Sequence, residues 1–201
     1  TPILKITVSK EGYKILLQKQ CEMYSRGAYC CDYAPCSCPR RNKYVRVIDL
    51  DFLRLSTNIN YLLSQVTEFL GCFSRNQLPP FPETFPKSMI INTDHSKGPG
   101  IHWVAIILLV DECLYFDPFG VSIAENEIFD YLRFRYRSFS YSNTCIQDIK
   151  SKKCGAFCVS YILSVKNKND YNKFIAQFNA TLLKQNDIIL NRYFSEISIP
   201  V

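Results

Sequence analysis

Four residues, in the chain order His102, Asp117, Gln147 and Cys154, have the types that cysteine-based acyl transfer needs. Cys154 opens the run Cys154-Gly155-Ala156-Phe157-Cys158, which is apolar and helix-like, so its sulfur is expected at a helix N-terminus. A thiol attacks well only as thiolate, and the positive end of a helix and a neighbouring imidazolium both favour that ionisation. The chain has two histidines, His95 and His102. His95 lies in a polar loop between Asp94 and Ser96 and reads as a solvated loop residue, whereas His102 begins the most apolar strand-like run and is the candidate base. Lys152 and Lys153 are expected to add a weak field that favours the thiolate. Gly155 is read as leaving room for a substrate backbone, and Cys158, one helical turn on, as an inert small hydrophobe.

Asp117 ends the strand expected to pair with that of His102 in antiparallel fashion, which brings its carboxylate to the same sheet edge. There it can accept the second imidazole N–H and stabilise the imidazolium, as the third member of nucleophile–base–orienter sites does. Asp117-Pro118-Phe119-Gly120 is also good turn chemistry, and the two readings are compatible. Gln147 lies seven residues before Cys154, on a loop that must return to the nucleophile. Its amide, with the backbone N–H of Cys154, can hold the oxyanion of a tetrahedral intermediate.

The elements that must place these residues are legible from periodicity. Residues 3–8 and 13–17 flank a glycine-containing loop and predict a β-hairpin; the cysteine-rich stretch 21–38 shows no periodicity. From Ser56 or Thr57, the apolar set Ile59, Leu62, Leu63, Val66, Phe69 and Leu70 predicts one helix that Gly71 ends. Proline forbids regular structure over much of 72–88, so a loop is expected there, followed by a short strand at 89–92 and a polar loop at 93–100. Residues 102–110 read as a strand buried on both faces, turned by Asp111-Glu112 into a second strand at 113–117, the two forming the centre of the sheet. A helix from Ser122 to about Arg133, a weak strand within 139–149, a fully apolar helix at 155–165, an amphipathic helix through Tyr171 to Leu182 and a short helix at 188–194 complete the pattern.

At 201 residues the chain can hold one well-packed domain and an arm, read as an N-terminal extension over 1–55 and a catalytic domain over 56–201. Hydrophobic residues at 47% and charged residues at 21% exclude a wholly disordered chain. No apolar stretch reaches the roughly 20 residues of a membrane span, and no signal-peptide pattern opens the sequence. The expectation is a soluble monomer of a reducing compartment, not secreted. Ten cysteines are then free thiols, metal ligands or catalysts rather than a disulfide framework. For the crowded Cys30, Cys31, Cys36 and Cys38, free thiols are preferred to a zinc site, since the spacing is irregular and no histidine is near, and zinc is preferred to disulfides. Lys plus Arg outnumber Asp plus Glu by 24 to 18, with clusters at Arg40, Arg41, Lys43 and Arg46, at Arg133, Arg135 and Arg137, and at Lys150, Lys152 and Lys153. Solvated surface charge explains any one of them; three together suit a polyanion partner.

Asn92-Thr93, Gly98-Pro99-Gly100-Ile101-His102-Trp103, Tyr115-Phe116-Asp117-Pro118-Phe119-Gly120 and Cys154-Gly155-Ala156-Phe157-Cys158 resemble the motifs of the adenain family, the adenovirus maturation proteases. The order His, acid, Gln, Cys is shared, and it also occurs in the wider clan of ubiquitin-like-protein proteases. The resemblance spans about residues 60–165. It implies an α+β fold, a papain-like cysteine protease core in permuted order with a central mixed sheet packed by helices. It implies an endopeptidase in which Cys154 attacks, His102 shuttles the proton, Asp117 orients His102 and Gln147 polarises the oxyanion. Substrates would be viral capsid or core precursors cut at glycine-containing sites during virion maturation, within the virion or the host cell's nucleus or cytoplasm, with DNA or a short basic peptide as activator. The site itself calls for no cofactor.

Two departures stand out. The third member is Asp117 where adenain has Glu, and the first 55 residues have no counterpart in the family. Cys145 stands near the nucleophile, closer than the cysteine through which adenain links its peptide activator, and that disulfide is not carried over. Two rival readings are a ubiquitin- or SUMO-like-protein deconjugating protease and a nucleic-acid-binding protein with a vestigial cysteine site.

Overall fold

The computed structural model describes residues 50–196, and the side chains of 50–194. The expected hairpin within 3–17, the cluster Cys30, Cys31, Cys36 and Cys38, and the basic run from Arg40 to Arg46 lie outside them. A 3-10 turn, Leu50–Arg54, leads into α1, Ser56–Leu62. Then follow strands β1, Phe69–Ser74, β2, Lys87–Asn92, β3, Trp103–Leu108, and β4, Cys113–Phe116. Helix α2, Asn126–Arg133, precedes a short β5, Phe139–Tyr141. Helices α3, Cys154–Ser164, α4, Lys168–Ile175, and α5, Leu183–Glu196, finish the described chain.

The five strands lie in sequence order in one mixed sheet. β1 and β2 run parallel, β2, β3 and β4 alternate antiparallel, and β4 and β5 run parallel. The fold is therefore α+β with a central mixed sheet packed by helices, as expected. β3 is the middle strand and every residue of it is buried. Its alternation divides the core: Trp103, Ala105 and Ile107 join α1, α3, α4 and α5, while Val104, Ile106 and Leu108 join α2 and the aromatic loop before β2. Helix α3 is apolar on all sides because it lies between the sheet and the C-terminal helices, with residues 155–163 buried.

Several expectations change. The helix predicted from Ser56 to Gly71 stops at Leu62, and Phe69–Ser74 is a strand. Phe69 and Leu70 satisfy helical spacing, but pairing with β2 satisfies the backbone over Phe69–Ser74, and a bulge lets Gly71 take φ +134°. The Asn60 side chain accepts the Cys72 N–H at 2.8 Å and ties α1 to that bulge. Helix α2 begins at Asn126 rather than Ser122. Of the strand candidate at 139–149 only Phe139–Tyr141 pairs; the remainder crosses to α3 as a loop. β2 starts two residues earlier than predicted, and α5 is longer than the helix expected at 188–194.

Residues 50–54, assigned on sequence to the extension, are packed into the same core. Leu50, Phe52 and Leu53 are buried there, each such side chain contributing about 1.5–3 kcal/mol. The buried Asn58 amide donates to Phe52 O at 2.7 Å, and the Trp103 indole donates to Arg54 O at 3.1 Å. Leu53 O meets α3 so closely that a Cβ on Gly155 would stand 1.9 Å from it.

Candidate active site

The start of β3 is the first element of the site. Asn92, at the end of β2, pairs in register with Trp103, and its side-chain oxygen accepts the N–H groups of Asp94 at 2.9 Å and Ile101 at 3.2 Å. Thr93 donates to His102 O at 2.9 Å, and Asp94 accepts from Gly100 N at 3.0 Å. The loop at 93–101 is thus closed on itself, and His102 leaves it at a defined point of the sheet edge. His95 stands exposed in that loop, accepting a long bond from Lys97 N at 3.3 Å, as the solvated reading expects.

Asp117 follows β4 directly. Its Oδ1 lies 2.8 Å from His102 Nε2 and also accepts the Phe119 N–H at 2.7 Å, so the backbone of the Asp-Pro-Phe-Gly turn aims the carboxylate. Asp117 acts in the turn and toward the histidine at once. The Phe119 ring stacks on the imidazole, with centroids 4.6 Å apart and planes at 24°, and covers one face of it. The imidazole is largely buried, which disfavours its charge, but hydrogen bonds with Asp117 and with the thiol of Cys154, and their negative fields, outweigh burial and raise its pKa from the ordinary 6.5 to about 9. Since Nε2 is engaged by Asp117, Nδ1 is the nitrogen left for the sulfur.

Cys154 is the first residue of α3 and is partly exposed, so its thiol is reachable while the helix behind it is buried. The first N–H groups of the helix have no intrahelical partner and form the positive pole there. Gly155 has a different reason than the one expected: it faces the backbone of Leu53, not the cleft, and is glycine because α3 and the 3-10 turn touch. Lys153 also differs from expectation, since its ammonium pairs with Asp187 Oδ2 at 2.9 Å and much of its field is cancelled. The other free thiols among the described residues are poor nucleophiles. Burial pushes Cys72 up to about 12, raises Cys113 and Cys158 further, and raises Cys145, whose sulfur donates to Gln147 O at 3.4 Å.

Gln147 is buried, and its loop docks on the turn that follows Asp117. The N–H groups of Ile146 and Gln147 both donate to Pro118 O, at 2.9 and 3.0 Å. Gly120, at φ +69°, permits this docking, because a Cβ there would meet the backbone of Asn143, Thr144 and Cys145 within 3 Å. The Gln147 Nε2 donates to Ser151 O at 2.8 Å, which leaves one amide proton free, and Oε1 is buried without a partner. Three contributors were not found on sequence. Phe119 was visible only as part of a turn, while Asn186 and Asp187 carry no local signal, being ordinary polar residues of a helix more than thirty positions from the loop they bind.

The basic clusters are partly spent on the protein itself. Arg135 donates to Val110 O at 3.3 and 3.0 Å and lies 4.5 Å over Phe85, and Arg133 lies 5.4 Å over Phe129. Among the described residues no group of acidic, histidine and cysteine side chains is arranged to hold a metal, and no helix is long and apolar enough to cross a membrane.

The family model described as adenovirus endoprotease matches residues 69–194, which include all four site residues. No curated protein matches the chain. Among solved structures, an ASFV protease is similar over 96% of this chain and 91% of its own, with 14% identity and a TM-score of 0.44.

Proposed function

We propose, for a chain that belongs to the adenovirus endoprotease family and is a cysteine peptidase, that Cys154, His102, Asp117 and Gln147 form its catalytic centre and that it cleaves viral precursor polypeptides. The observation that carries the assignment is His102 held between Asp117 at 2.8 Å and the Cys154 thiol. In this reading the thiol proton passes to His102 Nδ1 and the sulfur attacks the scissile carbonyl carbon, while Asp117 accepts the Nε2–H of the resulting imidazolium. The carbonyl oxygen becomes an oxyanion, held by the free amide proton of Gln147 and the backbone N–H of Cys154. The imidazolium then protonates the leaving amine, the C–N bond breaks and a thioester remains. Water, deprotonated by His102, attacks the thioester, and the thiolate leaves as the acid forms. Every proton moves between side chains, substrate and water.

In this reading the substrates are precursors of capsid or core proteins, cut in glycine-bearing segments during virion maturation, as the motif resemblance to the adenovirus proteases implies. A virion or infected-cell location goes with that reading. DNA as an activating partner draws its support from Arg137 more than from Arg133 and Arg135, which already have local partners. We assign residues 50–54 to the catalytic domain rather than to the extension, because the 3-10 turn shares its core.

A peptide aldehyde or vinyl sulfone, followed by mass spectrometry, tests the centre: label on Cys154, lost in Cys154→Ala, is expected. Label on any other cysteine sinks the assignment. Glycine-bearing precursor peptides are expected to be cut in preference to intact ubiquitin- or SUMO-like conjugates; the opposite preference makes the chain a deconjugating protease.

A further inference from the structure

The carboxamide of Gln147 is oriented by one hydrogen bond, Nε2 to Ser151 O, since its Oε1 has no partner. What holds Ser151 therefore holds the amide. The Ser151 hydroxyl donates to Asp187, 3.2 and 3.3 Å from its two oxygens, and Asp187 also takes Lys153 Nζ at 2.9 Å. The preceding residue, Asn186, is fully buried: its Nδ2 donates to Ile146 O at 2.8 Å and to Asn179 O at 2.7 Å, and its Oδ1 accepts Asn179 N at 2.8 Å. Two consecutive residues of α5 thus grip both ends of the segment that joins Gln147 to Cys154. Asn186 binds the residue before Gln147, and Asp187 binds the two residues nearest the nucleophile apart from Lys152.

We infer that Asn186 and Asp187 are positioning residues for peptide hydrolysis, with Asp187 acting through Ser151 to set the Gln147 amide where the oxyanion forms. The inference rests on the proposed catalytic roles of Gln147 and Cys154. A shift of the amide by about 1 Å is enough to cost on the order of 10²-fold in rate. Asp187 is partly exposed, so it can be changed with less risk to folding than Asn186, whose loss would orphan Ile146 O and Asn179 N.

The test measures peptide hydrolysis and, separately, alkylation of Cys154 by iodoacetamide. Alkylation is a displacement at saturated carbon and needs the thiolate but no oxyanion hole. Asp187→Ala and Ser151→Ala are each expected to lower kcat about 10- to 100-fold with KM held within about 3-fold. The alkylation rate of Ser151→Ala should stay within about 3-fold of the parent, and Asp187→Asn, which keeps an acceptor for Ser151, should recover part of the loss. In a Gln147→Ala background neither alanine change should lower kcat further. An undiminished kcat in Ser151→Ala and Asp187→Ala, or equal losses with and without Gln147, overturns the inference. A Cys154→Ala protein that still cuts peptide overturns the underlying assignment instead, so the two failures are distinguishable.

Discussion

The two sides of the nucleophile are built by different means. On the His102 side, neighbouring strands place the groups: β3 and β4 are joined by a tight turn, their register is set by main-chain pairing, and His102 and Asp117 emerge at one edge. On the Gln147 side an irregular loop is held by side chains. It leans on Pro118 O, and Asn186 and Asp187 reach it from α5. The sheet side is rigid because its backbone hydrogen bonds are repetitive and buried. The loop side is held by a few individual hydrogen bonds, so single side chains should matter more to geometry there than to stability.

The largest effects are expected at the nucleophile itself and on the sheet side. His102→Ala should lower kcat/KM for a peptide about 10²–10⁴-fold, and Cys154→Ala should abolish turnover, both read by hydrolysis of a fluorogenic peptide. Residual turnover in His102→Ala within about 10-fold of the parent would show that proton transfer does not run through the sheet edge. On the loop side, Gln147→Ala should cost about 10²–10³-fold in kcat with little change in KM. A rise in KM alone would make Gln147 a substrate-binding residue and remove the parallel between the two sides.

The pH profile sharpens the comparison next. His102 has its pKa raised to about 9, so activity that depends on the imidazolium should fall as pH rises through about 9. The same shift stabilises the fold: the contribution is fully present below the ordinary 6.5 and is lost as pH rises through about 9, which thermal unfolding across that range can follow. Asp117→Asn removes a charge that favours the imidazolium and should move the alkaline limb down by about 1–3 pH units; Gln147→Ala should leave it in place. The smallest effect is that of Phe119→Ala. Loss of the ring over His102 uncovers one imidazole face and should lower kcat by about 3- to 10-fold, since a stacked pair is worth about 0.5–1.5 kcal/mol.

Gly155 shows how a right observation can carry a wrong reason. On sequence it stands beside the nucleophile and invites a role in substrate access. In the structure the missing side chain makes room for Leu53 O, which lies far from Gly155 in sequence. Likewise Phe69 and Leu70 extend a helical pattern faithfully, yet pair as a strand, because apolar spacing alone does not weigh a backbone's need for partners against a helix's continuation.

The types and order of the site residues, the buried central strand, the tight turn after it and the apolar helix behind Cys154 are all readable from residue types and their spacing. Those are local properties: side-chain chemistry, a run of β-branched residues, turn residues at short spacing. What lies across a contact between segments distant in the chain emerges only when the chain folds. Folding sets the Leu53 carbonyl against Gly155, the Asp187 carboxylate against Lys153, and the Asn186 amide against Ile146 O. Such contacts leave no periodic trace, because a hydrogen bond between two distant residues constrains neither one's neighbours in sequence.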